Sequence, residues 1–168
     1  MDESGFYLLP SVARTYAPVG ETPILRHRLS RDHLSVIGAV GLHERLYFQV
    51  HEQAITSREV IGFLNHLLRH IPGKLLIVWD GAPIHRSKAI RQYLSEGAAA
   101  RIHLERFPGY APELDPQEGV WRHLKRVEMR NLCCSDLQET RRELRAACQR
   151  LRQRPHIIRS CLRHSGLV

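Results

Sequence analysis

The apolar positions of this chain switch between a two-residue and a helical period, and the switches divide it into elements. Gly5 to Leu9 is an apolar run closed by Pro10 and predicts a first strand. Arg14 to Pro23, punctuated by Pro18, Gly20 and Pro23, predicts a loop. Leu34 to Val40 is apolar again, and Leu46 to Val50 alternates in period two, so together they predict a hairpin whose first strand is central and whose second has one wetter face. Thr56 and Glu59 form a capping-box pattern, and Val60, Phe63, Leu64, Leu67, Leu68 and Ile71 then recur at helical spacing until Pro72 and Gly73 stop the helix. Leu75 to Val78, followed by Trp79, predicts a short strand buried on both faces and ending at Asp80. A second helix begins near Ser87, with Ala89, Ile90, Tyr93 and Leu94 on one side and Gly97 at its end. Ile102 and Leu104 alternate with His103 and Glu105 in a further strand.

Pro108, Gly109 and Pro112 force the next loop. Asp115 then suits a helix N-cap and Pro116 the first helical position, with Glu118 three residues after the cap. Val120, Leu124 and Val127 define the buried side of this helix, while Glu118 shares another stripe with Arg122, Lys125 and Arg126. Two readings of Glu118 stand side by side. It completes a capping box or pairs with Arg122 at i, i+4, worth a few tenths of a kcal/mol, or it is a carboxylate beside cations at a helix start, as a metal-bound phosphate site uses.

Three strands, helix, strand, helix, strand and then only helices predict an α/β mixed sheet flanked by helices, the order of a ribonuclease-H-like fold. In that order the first and fourth strands are neighbours. Asp2, beside the first, then lies close to Asp80, which stands where ligands bind beyond the carboxyl ends of strands. Asp80 is read as a metal ligand, and Asp2 and Glu118 as the carboxylates brought to it. Glu3 is an alternative to Asp2. His85 orients a water, contacts DNA or caps the following helix; Asp115 reads as a cap, and Trp79 and Trp121 as core.

A length of 168 residues suits one domain, taken as residues 1–168. The net charge of +8 is carried entirely by residues 122–168, which hold 12 Lys/Arg against 4 Asp/Glu. Residues 130–168 are therefore read as a basic helical extension, and a basic face is the electrostatic footprint of a nucleic-acid binder. Cys133, Cys134, Cys148 and Cys161 lack the spacing of a zinc site and read as reduced thiols, and no metal is assigned to the histidines. No stretch reads as a leader or a membrane span, so the expected location is cytoplasmic, on the nucleoid.

Four stretches carry a family resemblance. Asp2 to Phe6, Tyr16 to Gly20 with Thr22-Pro23, Asp80 to His85, and Tyr110 to Glu118 with Trp121 and Lys125 resemble, in order, the DDE transposases of bacterial insertion sequences related to the mariner group. The resemblance implies a catalytic domain whose triad, Asp2, Asp80 and Glu118, holds two divalent ions, normally Mg2+ with Mn2+ able to substitute, and cuts and joins transposon-end DNA. Hard carboxylate oxygens suit magnesium. It further implies DNA contacts from Arg141, Arg142 and Arg145, with Arg150, Arg152 and Arg154, and from His85, Arg122, Lys125 and Arg126. A homodimer on DNA is expected, as is a separately encoded helix-turn-helix half, because that region of the family is not among these residues. Gly81 stands where many relatives have Asn. The alternatives are an inactive remnant that only binds DNA or a full-length transposase, and a ribonuclease-H-like nuclease. With only Met1 before it, Asp2 is expected to fray.

Overall fold

A computed structural model describes residues 1–27, 30–109 and 111–168. Its strands are β1 (Asp2–Tyr7), β2 (His33–Val40), β3 (Leu46–His51), β4 (Leu75–Trp79) and β5 (Ile102–Arg106). Its helices are α1 (Ser57–His70), α2 (Lys88–Ser95), α3 (Pro116–His123), α4 (Leu137–Arg152) and α5 (Pro155–His164). Element order and type follow the hydrophobic pattern. The expected helix starts are present: Thr56 and Glu59 close a complete capping box on α1, Ser87 caps α2, and Asp115 with Pro116 opens α3.

The strands form two sheets rather than one mixed sheet. β1, β2 and β3 are antiparallel with β2 central, and β4 and β5 form a separate parallel pair. Between them the Met1 ammonium donates to the Val78 carbonyl at 2.8 Å, so the expected neighbours β1 and β4 meet, without forming a ladder. β1 also starts earlier than its apolar run, with Asp2 opposite Gly38, since ladder hydrogen bonds require no apolar side chain. Asp2 is held in register there and is not frayed.

Alternation along β2 builds two cores. Leu34 and Val36 face one side, where Phe6, Leu46, Val120, Trp121, Leu124, Leu144, Leu151, Ile158 and Leu162 complete a cluster. Ile37 and Ala39 face the other, against Val60, Phe63, Leu64 and Leu67 of α1 and against Ile77, Trp79, Ile90 and Ile102. Residues 130–168, expected as an extension, thus supply α4 and α5 to the first core.

Two burial expectations fail for local reasons. β4 is covered on one face only, and Leu76 is 64% exposed on the other. Val127 is exposed because a π turn over Leu124–Glu128, closed by Met129 N–H to Leu124 O at 2.9 Å, shifts the helical phase, and Trp121 fills the buried side instead.

Gly38 sets how closely α3 approaches the sheet. A Cβ there would lie 2.6 Å from Trp121 and 2.9 Å from the Gln117 amide. Gly38→Ala is therefore expected to lower unfolding free energy by about 1–3 kcal/mol, the usual range for overpacking. Urea denaturation measures this.

Candidate metal and nucleic-acid site

Asp2 opens β1, and period-two alternation directs Asp2, Ser4 and Phe6 toward α3. Trp121 Nε1 donates to Asp2 Oδ2 at 2.9 Å, and the Trp121 ring meets Phe6 edge-on at 5.9 Å. Lys125 Nζ donates to Ser4 Oγ at 2.7 Å and lies 5.2 Å over the Phe6 ring. Glu3 takes the opposite face and bonds His85 Nε2 at 3.0 Å. That alternation separates Glu3 from Asp2.

Asp80 follows the last residue of β4, where the chain leaves the sheet for a loop. Its Oδ1 accepts from the Ala82 N–H at 2.9 Å and lies 2.8 Å from His85 Nδ1, while the side chain is 51% exposed. His85 is buried and stacks on Trp79 at 4.3 Å with an interplanar angle of 2°. Ser87, not His85, caps α2. Its Nε2 faces the Glu3 carboxylate, its Nδ1 faces the Asp80 carbonyl at 3.3 Å and the Asp80 carboxylate, and no side-chain surface is exposed.

Glu118 stands in the first turn of α3, capped by Asp115, whose Oδ1 accepts from the Gln117 N–H at 2.8 Å. Glu118 is exposed and makes no side-chain hydrogen bond or ion pair among the described residues, so neither the capping box nor the Arg122 pair forms. It lines a cleft of about 780 Å³ between α3 and α5 with Asp115, Arg122 and Arg126. Ser160, Cys161 and His164 form the α5 wall.

The carboxylates are electrostatically coupled. Burial, and then the Asp115 charge, push Asp2 up to about 7, and Glu118 adds to the shift. Burial also raises Asp115, with Glu118 and Asp80 contributing and the Met1 ammonium opposing. Burial disfavours a protonated His85, yet Glu3 and Asp80 outweigh it and hold its pKa above the ordinary value. Among the described residues no three His, Cys, Asp or Glu side chains converge tightly enough to hold an ion as they stand. The chemistry of the donor set nevertheless fits a hard divalent cation: these are carboxylate oxygens, and Asp2 and Asp115 among them carry charge that such a cation would relieve.

The expected DNA contacts divide into groups. Arg122 and Arg126 are exposed and share the cleft with Glu118. Lys125 turns inward to Ser4, and its burial lowers its pKa. None of Arg141, Arg142 and Arg145 lines the cleft. Arg141 pairs with Glu52 at 2.9 Å and Arg142 with Glu139 at 3.4 Å, while Arg145 is exposed. Arg150 and Arg154 bracket Glu128 at 2.6 and 3.1 Å, and Arg152 lies over Phe48 and bonds the Leu46 carbonyl.

Several participants were not singled out from the pattern. Gln117 is fully buried, with neither amide atom hydrogen-bonded among the described residues. Arg106 packs against Gly81, where a Cβ would lie 2.7 Å from its guanidinium, so a larger residue there would displace it. Trp121 was legible as core, but its indole N–H marked a need for an acceptor. Tyr110, part of the fourth resembling stretch, lies outside the described residues. All four cysteines are free thiols, and no described helix is long and apolar enough to cross a membrane.

Two small sheets between helices thus set acidic residues of β1, the end of β4 and the start of α3 near enough to influence one another's charge. The family model for DDE superfamily endonucleases matches residues 1–141, and the chain belongs to that family. Its fold is similar to solved structures of the Mos1 mariner transposase. The paired-end complex with Mn matches with a TM-score of 0.66 at 14% identity, over 98% of this chain and 54% of that one. The Mos1 strand transfer complex matches at 0.62 and 13%, over 95% and 52%, and the isolated Mos1 catalytic domain at 0.58 and 12%, over 98% and 80%. The chain thus spans about half the length of the Mos1 chains in those complexes. No curated protein sequence matches it significantly.

The raised Asp2 pKa has a consequence for stability. A carboxylate whose folded pKa is above its unfolded 3.8 contributes stability fully present below pH 3.8 and lost as pH rises through about 7. Asp2→Asn, which keeps an acceptor for Trp121, is expected to stabilise the metal-free protein by roughly 1–3 kcal/mol at pH 8 relative to wild type, and far less at pH 5. Urea denaturation at the two pH values checks it.

Proposed function

We propose that this chain is the ribonuclease-H-like catalytic domain of a transposase, taken as one domain over residues 1–168, in which Asp2, Asp80 and Glu118 hold two Mg2+ ions and DNA strands at transposon ends are cut and joined. Membership of the DDE endonuclease family supports the chemistry. What supports the residue assignment is that Asp2 on β1 feels the charges of Asp115 and Glu118 at the start of α3, and that Asp115 in turn feels Asp80 at the end of β4.

When bound, such ions activate the attacking oxygen and stabilise the leaving oxygen of an in-line displacement, and Mn2+ can replace Mg2+. The residues of the chain prepare for this. Trp121 fixes one oxygen of Asp2, leaving the carboxylate oriented as a ligand. Asp2 must lose its proton for a cation to be held, so occupancy of the site strengthens as pH rises. Arg122 and Arg126 line the cleft beside Glu118, where they contact DNA phosphates and position the strand. Lys125 braces β1 against α3. Arg145 and the other α4 arginines add a weaker, sequence-independent attraction. The working form is a homodimer on DNA, with transposon ends recognised by a helix-turn-helix region.

Asp80→Ala and Glu118→Ala are expected to lose metal-dependent strand cleavage by 10³-fold or more, on the order of 4 kcal/mol of transition-state stabilisation, with thermal unfolding little changed. Full cleavage in either variant, or wild-type protein that binds DNA but shows no Mg2+- or Mn2+-dependent cleavage, contradicts the proposal. Arg122→Ala and Arg126→Ala should each reduce the slope of log binding constant against log salt by about 1, as expected for loss of one phosphate contact.

A further inference from the structure

Asp80 presents a positioning problem. It leaves β4 at the start of a loop, half-exposed, in a sheet that shares no ladder with the strand carrying Asp2. A carboxylate so placed is free to rotate unless something holds it, and a metal site needs its ligands fixed by their own partners.

The holder is His85. Its Nδ1 is hydrogen-bonded to the Asp80 carbonyl at 3.3 Å and lies 2.8 Å from Asp80 Oδ1, the oxygen that accepts from the Ala82 N–H, so the ring faces both the backbone and one carboxylate oxygen of Asp80 and leaves Oδ2 outside these contacts. The ring itself is fixed on three sides. It stacks on the buried Trp79 at 4.3 Å, and its backbone N–H donates to the Ala82 carbonyl at 3.0 Å within the short turn Pro83–Arg86. That turn is tied to α1 by Ser57 Oγ, which donates to the Ile84 carbonyl at 2.8 Å. The third side is Glu3, whose Oε1 lies 3.0 Å from Nε2. Glu3 adjoins Asp2 on β1. The imidazole therefore bridges the strand of one candidate ligand to the side chain of another, across a seam otherwise closed by the Met1–Val78 contact.

We infer that His85, seated by Glu3, is the positioning residue that orients Asp80 and sets it relative to Asp2, so that the Glu3–His85–Asp80 chain aligns the site for its cation. This rests on the metal-site reading above and assigns Glu3 a role other than ligand. His85 touches neither substrate nor reacting atoms.

Side-chain geometry provides the test. An Asn amide nitrogen stands at the level of Nδ1 and can donate to Asp80, but it does not reach Glu3; a Gln amide stands at the level of Nε2 and does the reverse. Mn2+ is titrated into the full chain without DNA, reading free Mn2+ by electron paramagnetic resonance. His85→Gln and His85→Ala are expected to weaken Mn2+ binding 10- to 100-fold, the usual effect of removing a partner that orients a metal ligand. His85→Asn should stay within about threefold of wild type. Glu3→Ala, which leaves the Asp80 contact and the Trp79 stack in place and removes only the seat that His85→Asn also lacks, should lose no more than His85→Asn does. If His85→Asn and His85→Gln bind Mn2+ equally, whether tightly or weakly, or if Gln outperforms Asn, the inference is overturned. Thermal unfolding of each variant is measured alongside, and the Asn/Gln comparison is between side chains of similar polarity, so loss of the Trp79 stack is common to both. Asp80→Ala separates the two claims: loss of Mn2+ binding there with wild-type binding in all His85 variants removes the clamp and keeps the metal site, whereas wild-type binding in Asp80→Ala removes the metal site itself.

Discussion

Desolvated negative charge is the constraint on which this structure turns. Asp2 and Asp115 are both withdrawn from water and both raised by it, and each is raised further by neighbouring carboxylates. Gathering like charges in this way destabilises a fold. Groups arranged around the seam offset it in part: the Trp121 indole on Asp2, the helix start and the Gln117 N–H on Asp115, and the Ala82 N–H with His85 on Asp80. The divalent cation proposed above would relieve this concentration of oxygen donors, and the two cores on either side of β2 supply the rigidity that holds it together.

Positive charge is distributed by a different rule. Most C-terminal arginines are committed within the protein, to Glu128, Glu44, Glu52 and Glu139 or to the Phe48 ring. Exposed pairs of this kind contribute little to stability, and part of the +8 charge serves as ordinary surface. Arg122 and Arg126 differ because they share a cleft with Glu118 and make no ion pair among the described residues. Cations lining the same groove as Glu118 suit a polyanionic strand better than a count of basic residues does.

Helix caps, the succession of strands and helices along the chain, and the three elements bearing Asp2, Asp80 and Glu118 were legible because each has a local cause in the sequence: a capping residue, a proline, an alternating run. What was not legible depends on partners distant in the chain. Nothing near His85 signals that it lies between Asp80 and Glu3, a residue 82 positions away. Lys125 sits at helical spacing with two exposed arginines, but Ser4 and Phe6 turn it inward. Val127 fits the apolar stripe of α3 and is displaced by the π turn, a backbone feature with no side-chain signature here. Leu76 was read as buried because apolar runs usually are; which face α1 and α2 cover is decided by packing.

The central claim is that β1, β4 and α3 supply one metal site. Crystals of the protein soaked in Mn2+ and measured for anomalous scattering test it most directly. The account predicts anomalous peaks within coordination distance of Asp2, Asp80 and Glu118, with the Asp80 oxygen not held by His85 turned toward the ion. Mn2+ bound elsewhere, with those three side chains unligated at saturating concentration, would contradict it.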